Sequence, residues 1–113
     1  MSLEFHGPGA AHLSVGDRMT VANMSVEMGA KNCVFFVDPI TVSFMERCSN
    51  RLYTRIVPDP DAAYREVVQV DVGSLVPQVA CPHEVDNVKD ISMVEGLPVD
   101  QVFIGSCTNG RFE

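Results

Sequence analysis

The pattern of apolar and polar positions first becomes regular between residues 17 and 29. Apolar residues recur there at steps of three and four, which is the spacing of an amphipathic helix. We predict a helix from Arg18 to about Gly29, with Asp17 as its N-cap and the glycine as its stop. A turn or short helix is predicted just before it, at Ala10 to Leu13.

A polar stripe runs along this otherwise mostly apolar helix. Steps of three and four residues place its members on one face: Thr20, Asn23 and Glu27. A buried carboxylate without a partner is costly, so Glu27 is expected either at a solvated rim or in a polar site. The spacing alone favours the solvated rim and leaves the polar site open.

A strand and a second helix follow. Cys33 to Val37 is apolar without alternation, which is typical of a strand covered on both faces. Asp38 can cap a helix that begins at Pro39 and runs to about Arg47. The helix-strand-helix order predicts an α/β fold with a layered α/β/α architecture and a short, mostly parallel sheet.

The remaining residues carry weaker signals. Residues 49–61 are polar and contain two prolines, which is typical of a linker. We therefore expect residues 1–113 to form a single unit in which a sub-boundary, if present, falls near 50–61.

Two more strands are predicted after that segment. Alternating valines indicate a strand with one wet face from Glu66 to Val72, at a sheet edge. An apolar run predicts a buried strand from Gln101 to Gly105. Residues 73–100 are expected to be loop-rich, with a short element near Ser92 to Val94.

Composition narrows the classes of partner. Fifteen acidic residues against eight basic ones give a net charge of −7, and no basic group of residues is present to neutralise phosphates. No apolar run approaches the length of a membrane span, and no secretory signal is visible. We expect a cytoplasmic protein that binds neither nucleic acid nor membrane, with its thiols reduced.

The cysteines are too widely spaced for a zinc ribbon or a thioredoxin-like pair; they are Cys33, Cys48, Cys81 and Cys107. Cys107 stands in the polar sequence Ser-Cys-Thr-Asn-Gly directly after the last predicted strand, where ligands collect in α/β folds. The residues leave four interpretations open: a nucleophile, a phosphate-binding loop, one ligand of a metal cluster, or a buried free thiol.

Two motifs carry a resemblance to a known family. VFIGSCTNGR, residues 102–111, resembles the first cluster-cysteine motif of the aconitase superfamily, and its NGR ending is similar to the isopropylmalate and homoaconitate dehydratase branch. GDRMTVANMSVEMGAKN, residues 16–32, resembles the helix that carries an active-site Asn and Glu in the same family. The motifs stand in family order, so the resemblance covers nearly the whole chain.

The resemblance implies roles for five residues. Asn23 and Glu27 match catalytic positions, and Cys107 matches the first of three cysteines that hold a [4Fe–4S] cluster. Arg111 and Asn109 are expected to bind a carboxylate of a hydroxy-dicarboxylic or tricarboxylic acid substrate. The implied reaction is loss of water from the substrate and its addition back at the neighbouring carbon.

The same resemblance implies that parts of the enzyme lie outside this chain. Two cluster cysteines, an Asp-Ser-His segment and the small subunit are absent from these 113 residues. We therefore expect an internal fragment of a large subunit that binds no cluster and is inactive alone. The alternatives are a homoaconitate or aconitase-type large subunit, or a non-catalytic α/β module that binds an anion or a partner.

Overall fold

The structure is a computed structural model that describes residues 1–106 and 108–112, and it combines short helices with two small β-sheets. The helices are α1 (Pro8–His12), α2 (Val15–Met24) and α3 (Pro39–Cys48), and the strands are β1 (Ser2–Phe5), β2 (Asn32–Phe35), β3 (Gln78–Ala80) and β4 (Val88–Asp90). The predicted α/β class is confirmed.

The parallel sheet consists of β1 and β2, and α1 and α2 connect them in sequence. Ser2 pairs with Asn32 and Phe5 with Phe35, and the two phenylalanine rings stack with centroids 5.1 Å apart. Side-chain exposure alternates along β2, so the prediction of a strand covered on both faces is wrong. The apolar run of this strand has a layer of structure on one face only among the described residues.

The helix that carries the polar stripe begins three residues earlier than predicted. Ser14 is its N-cap: its Oγ accepts a hydrogen bond from the Asp17 amide, and the Asp17 carboxylate accepts one from the Ser14 amide. This reciprocal capping box lowers the pKa of Asp17, mainly through the Ser14 hydroxyl. Asp17 is therefore the third residue of the helix and not its cap.

The α-helix also ends earlier than predicted. After Met24 the chain tightens into a 3₁₀ helix, Ser25–Met28, which Gly29 terminates with φ 74°. Glycine adopts this left-handed conformation without the steric cost of a Cβ, so it stops the helical run at the predicted residue.

A buried ion pair joins α2 to the start of α3. Arg18 is 4% exposed, and its guanidinium donates to both carboxylate oxygens of Asp38, at 2.9 and 2.6 Å. It also donates to Leu13 O and Thr41 Oγ1, and lies 5.4 Å from the ring centroid of Phe36. These contacts use most of the guanidinium donors, as burial of a charge requires.

Asp38 serves a second purpose as the N-cap of α3. Its Oδ1 accepts a hydrogen bond from the Thr41 amide at 2.9 Å, and Pro39 occupies the first helical turn. The hydrogen bonds from Arg18, together with those from Thr41, hold the pKa of Asp38 well below its usual range even though burial opposes this. The predicted start of α3 is confirmed, and its end at Cys48 lies one residue beyond the prediction.

Residues 49–71 form no helix or strand. Two side chains attach this segment to the N-terminal part: Arg55 donates to Val37 O, and Tyr64 donates to the Glu4 carboxylate at 2.9 Å. The hydrogen bond to Glu4 raises the pKa of Tyr64. The strand predicted at Glu66 to Val72 is wrong, because no described strand pairs with these residues. The alternation of apolar and polar side chains does not by itself provide a neighbouring strand for the backbone hydrogen bonds.

The antiparallel pair β3 and β4 follows a 3₁₀ turn, Val72–Ser74, and another 3₁₀ turn, Ile91–Met93, comes after it. The second turn overlaps the short element predicted near Ser92 to Val94 and begins one residue before it. Residues 101–105 are exposed and do not form a strand with any other described residues. The buried strand predicted there is therefore wrong. Among the described residues, no helix has the length and apolar character needed to cross a membrane.

Candidate active site

The loop of residues 108–111 lies along one face of α2. Its contacts on the helix are with Gly16, Met19 and Asn23, which are spaced by three and four residues. That spacing places the three on a single helix face. Two segments about ninety residues apart in sequence, which the resemblance had singled out separately, therefore meet.

Asn23 makes the shortest of these contacts. Its Nδ2 donates to Thr108 Oγ1 at 2.5 Å. Asn23 is exposed and Thr108 is half-buried, so this contact lies near the surface. The sequence analysis predicted Asn23 as a site residue but not Thr108 as its partner.

Arg111 and Asn109 lie together at the other end of the loop. The guanidinium Nη1 donates to Asn109 Oδ1 at 3.2 Å and to the Gly16 carbonyl at 3.4 Å, and Nη2 donates to Met19 Sδ at 3.0 Å. Both distances to oxygen are long for a charged donor, and none of these acceptors is a carboxylate. The contacts orient the guanidinium without neutralising its charge.

Glu27 lies on the 3₁₀ helix that follows α2, and its side chain is exposed. Each residue of a 3₁₀ helix advances about 120° around the axis compared with about 100° in an α-helix, which turns Glu27 away from the straight continuation of the stripe. Among the described residues it has no hydrogen-bond or ion-pair partner. Its catalytic role stays a prediction.

Cys107, the predicted cluster ligand, lies outside the described residues. The residues around it show a closely folded backbone: Ser106 has φ 95°, which is costly for a residue with a Cβ. A Cβ at Gly110 would lie within 2.4 Å of Ser106 O, so only glycine fits this approach. Backbone strain of this kind concentrates at functional loops.

The described residues do not by themselves supply a donor set for a metal cluster. They contain no group of three His, Cys, Asp or Glu side chains able to hold a metal ion. Cys33 is half-buried in β2, where burial raises its thiol pKa, while Cys48 ends α3 and Cys81 follows β3. A raised thiol pKa disfavours Cys33 as a thiolate ligand, and the assignment of Cys107 to one corner of a [4Fe–4S] cluster stays a prediction.

A cleft of about 510 Å³ opens beside the Arg111 end of this loop. It is lined by the N-terminal end of α2, by one face of α3, and by residues 109 and 111. Arg47 of α3 lines it together with Arg111, and the sequence analysis did not identify it. The sequence could have indicated Arg47 through its spacing from Ile40 and Phe44. Steps of four and three residues place this cation on the same helix face as the two apolar side chains.

This chain is similar in sequence to known proteins over most of its length. The Aconitase family (aconitate hydratase) matches residues 1–95. A probable 3-isopropylmalate dehydratase large subunit from Methanothermobacter thermautotrophicus is 50% identical over 111 residues, which cover 98% of this chain and 26% of that protein. A probable methanogen homoaconitase large subunit from Methanosarcina mazei is 49% identical over 112 residues, covering 99% of this chain and 29% of that protein.

A third relative is a 2,3-dimethylmalate dehydratase large subunit from Eubacterium barkeri, 46% identical over 113 residues, covering 99% of this chain and 27% of that protein. The chain thus spans little more than a quarter of the length of the curated relatives it matches. The three names differ in substrate while the identities are nearly equal. The family match extends over most of the chain, and the chain belongs to the aconitase family.

Proposed function

We propose that this chain is part of the large subunit of a 3-isopropylmalate dehydratase, a hydro-lyase that interconverts 2- and 3-isopropylmalate by loss and readdition of water in leucine biosynthesis. The observation that carries the proposal is the hydrogen bond from Asn23 to Thr108, because it joins the helix motif to the residue next to Cys107. The 50% identity to a large subunit of that name supports the choice of reaction.

The proposed enzyme is cytoplasmic and needs two components beyond these residues. One is a small subunit, which the name of a large subunit implies. The other is a [4Fe–4S] cluster, held by Cys107 and by two thiolates from the rest of the large subunit. When bound, the cluster supplies Lewis-acid activation of the substrate hydroxyl, which assists the loss of water.

The remaining site residues of this chain act on the substrate and on its protons. Arg111 and Asn109 bind a substrate carboxylate, since their contacts leave guanidinium charge unneutralised. Asn23 fixes the Cys107 loop against α2 through Thr108 and presents its amide oxygen as an acceptor. Glu27 moves a proton at the carbon next to the departing hydroxyl, a role that requires the exposed carboxylate to be covered when the whole enzyme assembles.

These 113 residues form one unit of that subunit and are inactive by themselves, because two of the three cluster ligands are missing. Any sub-boundary within them falls near 50–61, where the described chain has no helix or strand.

The test uses the complete two-subunit enzyme, reconstituted anaerobically with iron and sulfide. Cys107→Ser is expected to lose the visible absorbance of the cluster and nearly all turnover, whereas Cys48→Ser, at an exposed free cysteine, retains both. Glu27→Gln is expected to retain the cluster and lose most turnover, with Glu46→Gln on the exposed side of α3 as its control. Wild-type absorbance and activity in Cys107→Ser contradict the proposal.

A homoaconitase is the second candidate, because the relative of that name is as similar to this chain as the isopropylmalate dehydratase. The two are separated by assaying the complete enzyme with 2-isopropylmalate and with homoaconitate. We expect the higher kcat/KM for 2-isopropylmalate, and the opposite order selects the homoaconitase.

A further inference from the structure

Two faces of α2 contact different parts of the chain. One face contacts the loop of residues 108–111 through Gly16, Met19 and Asn23. Arg18 lies on another face: at about 100° for each residue, it is roughly 160° around the helix axis from Gly16 and roughly 140° from Asn23. The helix therefore lies between the loop on one side and the residues that Arg18 contacts on the other.

The guanidinium of Arg18 fixes α2 to the start of α3 in both distance and angle. Its two terminal nitrogens donate to the two carboxylate oxygens of Asp38, at 2.9 and 2.6 Å, which is a bidentate pair. Nη1 also donates to Thr41 Oγ1 at 2.9 Å, and Nε donates to Leu13 O at 3.1 Å. Because the guanidinium is planar and rigid, these four hydrogen bonds leave it little freedom to shift or to turn.

Stability by itself does not require an ion pair at this position. Arg18 is 4% exposed and Asp38 is 9% exposed, so both charges lose most of their hydration on folding. This loss offsets much of their mutual attraction, and apolar side chains of similar volume often stabilise a buried position equally well. Apolar packing is non-directional, however. What Arg18 provides and an apolar side chain lacks is a defined position of α2 relative to α3.

The same two helices form the walls of the cleft beside Arg111. Asp17, the residue before Arg18, lines the cleft from α2. Ile40, two residues after Asp38, lines it from α3. A shift of α2 relative to α3 therefore changes the width of the cleft and moves the helix face that holds the loop. Among the described residues, neither member of the ion pair lines the cleft or hydrogen-bonds to the loop.

We propose that Arg18 is a positioning residue for the dehydration: paired with Asp38, it holds α2 where Asn23 fixes the loop next to Cys107. Arg18 acts on the reaction through Asn23 and this loop, without contact to the substrate or the cluster. The assignment rests on the proposed function for the identity of the reaction. The dependence of the loop on Arg18 follows from the contacts of this chain alone.

The first experiment measures hydrogen exchange by mass spectrometry in the complete two-subunit enzyme, without cluster or substrate. The double variant Arg18→Met with Asp38→Ser removes both charges and keeps an N-cap for α3. We expect the backbone amides of residues 108–112 to exchange about tenfold faster than in wild type, because α2 no longer holds the loop in one place. The hairpin of β3 and β4 is expected to exchange at the wild-type rate.

This pattern separates positioning from a general loss of stability, which would accelerate exchange throughout the enzyme. Unchanged exchange in residues 108–112 overturns the proposal, and so does an equal acceleration in the loop and the hairpin. The matched control is Tyr64→Phe, which removes the 2.9 Å hydrogen bond to Glu4, a contact that involves neither α2 nor α3. This control is expected to leave exchange in the loop unchanged, and the same acceleration in it overturns the proposal.

If the double variant does not fold, Arg18→Lys replaces it. Lysine keeps a positive charge beside Asp38 but offers a single ammonium in place of the planar fork. A positioning role predicts the same acceleration confined to residues 108–112. Wild-type exchange in Arg18→Lys shows that charge alone is enough and overturns the proposal.

The second experiment measures turnover of the reconstituted enzyme at a temperature at which circular dichroism shows every variant fully folded. We expect kcat/KM per bound cluster to fall about tenfold or more in the Arg18 variants, because small displacements of reacting groups are costly, and to stay at the wild-type value in Tyr64→Phe. A wild-type kcat/KM in a folded Arg18 variant overturns the proposal. The exchange measurement needs no turnover, so it tests the role of Arg18 even if the proposed reaction is wrong.

Discussion

Residues 1–48 and residues 49–112 differ in whether their side chains find partners, or cover from solvent, within the same region. The first region contains all three helices described, a parallel strand pair, and buried polar groups that find partners within it, Arg18 with Asp38 above all. The second has one short hairpin and leaves large apolar side chains in solvent, among them Leu52 at 103%, Val68 at 74% and Ile104 at 92% relative exposure. The buried polar groups of the first region therefore find their partners within residues 1–48, whereas the second region leaves its large apolar side chains exposed.

The overall dimensions reflect the second region. The radius of gyration is 17.0 Å, whereas a compact domain of this length has about 13 Å. Within the described part of the chain, no layer covers the apolar residues of the second region. In the proposed enzyme that cover comes from the rest of the large subunit.

The largest expected loss of stability follows from removing the buried ion pair between Arg18 and Asp38 in residues 1–48. Arg18→Met leaves the Asp38 carboxylate buried without its cation, which is expected to lower the free energy of unfolding by about 3 kcal/mol or more. Urea unfolding followed by circular dichroism measures the loss. The double variant Arg18→Met with Asp38→Ser keeps an N-cap and removes the unpaired charge, so it should recover part of the stability. If the double variant loses as much stability as the two single variants together, the two residues are not coupled.

Acid titration tests the same interaction with a smaller effect. The hydrogen bonds from Arg18 hold the pKa of Asp38 in the folded chain below the unfolded value of about 3.9. The folded state therefore binds fewer protons, and the Asp38 contribution is fully present above about pH 5 and declines as pH falls toward the folded-state pKa. The urea midpoint of wild type should fall more steeply between neutral pH and about pH 3 than that of Asp38→Asn, and parallel pH profiles would refute this.

Removing the capping box at the start of α2 is expected to have an effect of intermediate size. Ser14→Ala removes the acceptor for the Asp17 amide and the hydroxyl donor to its carboxylate, which is expected to cost about 1 kcal/mol of stability. Ser14→Asn restores a neutral acceptor for the Asp17 amide and serves as the control for the loss of the hydroxyl. Equal stability of Ser14→Ala and wild type in thermal unfolding would show that α2 does not need its cap.

The smallest expected effect lies in the second region. Val68→Ser replaces a side chain that is 74% exposed, so the stability of this chain should change by less than about 0.5 kcal/mol. The same substitution in the complete large subunit is expected to cost more, because the rest of the subunit would bury that position. A large loss in the 113-residue chain would show that the second region packs more closely than its exposure indicates.

The two regions also differ in how well sequence reasoning described them. Asp38, Pro39 and Gly29 were identified correctly, because caps and stops depend on neighbouring residues. Asp17 was read as an N-cap although it is the third helical residue, since the box that Ser14 begins was missed. The strands predicted at 66–72 and 101–105 are absent because β pairing requires a partner that no local pattern supplies.

At the candidate site, too, the sequence predicted some features and only the structure showed others. The sequence supplied both motifs and the five predicted site residues, and the helical period placed Asn23 on one face of α2. The sequence could not show that Thr108 accepts its hydrogen bond, that Met19 and Gly16 hold Arg111, or that Arg47 lines the adjoining cleft. These contacts join residues far apart in the chain.

The sequence by itself determined the α/β class, the N-cap of α3, the stop at Gly29 and the family of this chain. Each depends on residue identity or on steps of a few residues, where backbone geometry leaves few choices. Only the tertiary structure decided the pairing of Arg18 with Asp38, the docking of residues 108–111 on α2, and the cleft between Arg47 and Arg111. Such contacts are set by how segments pack, and packing depends on the whole chain at once.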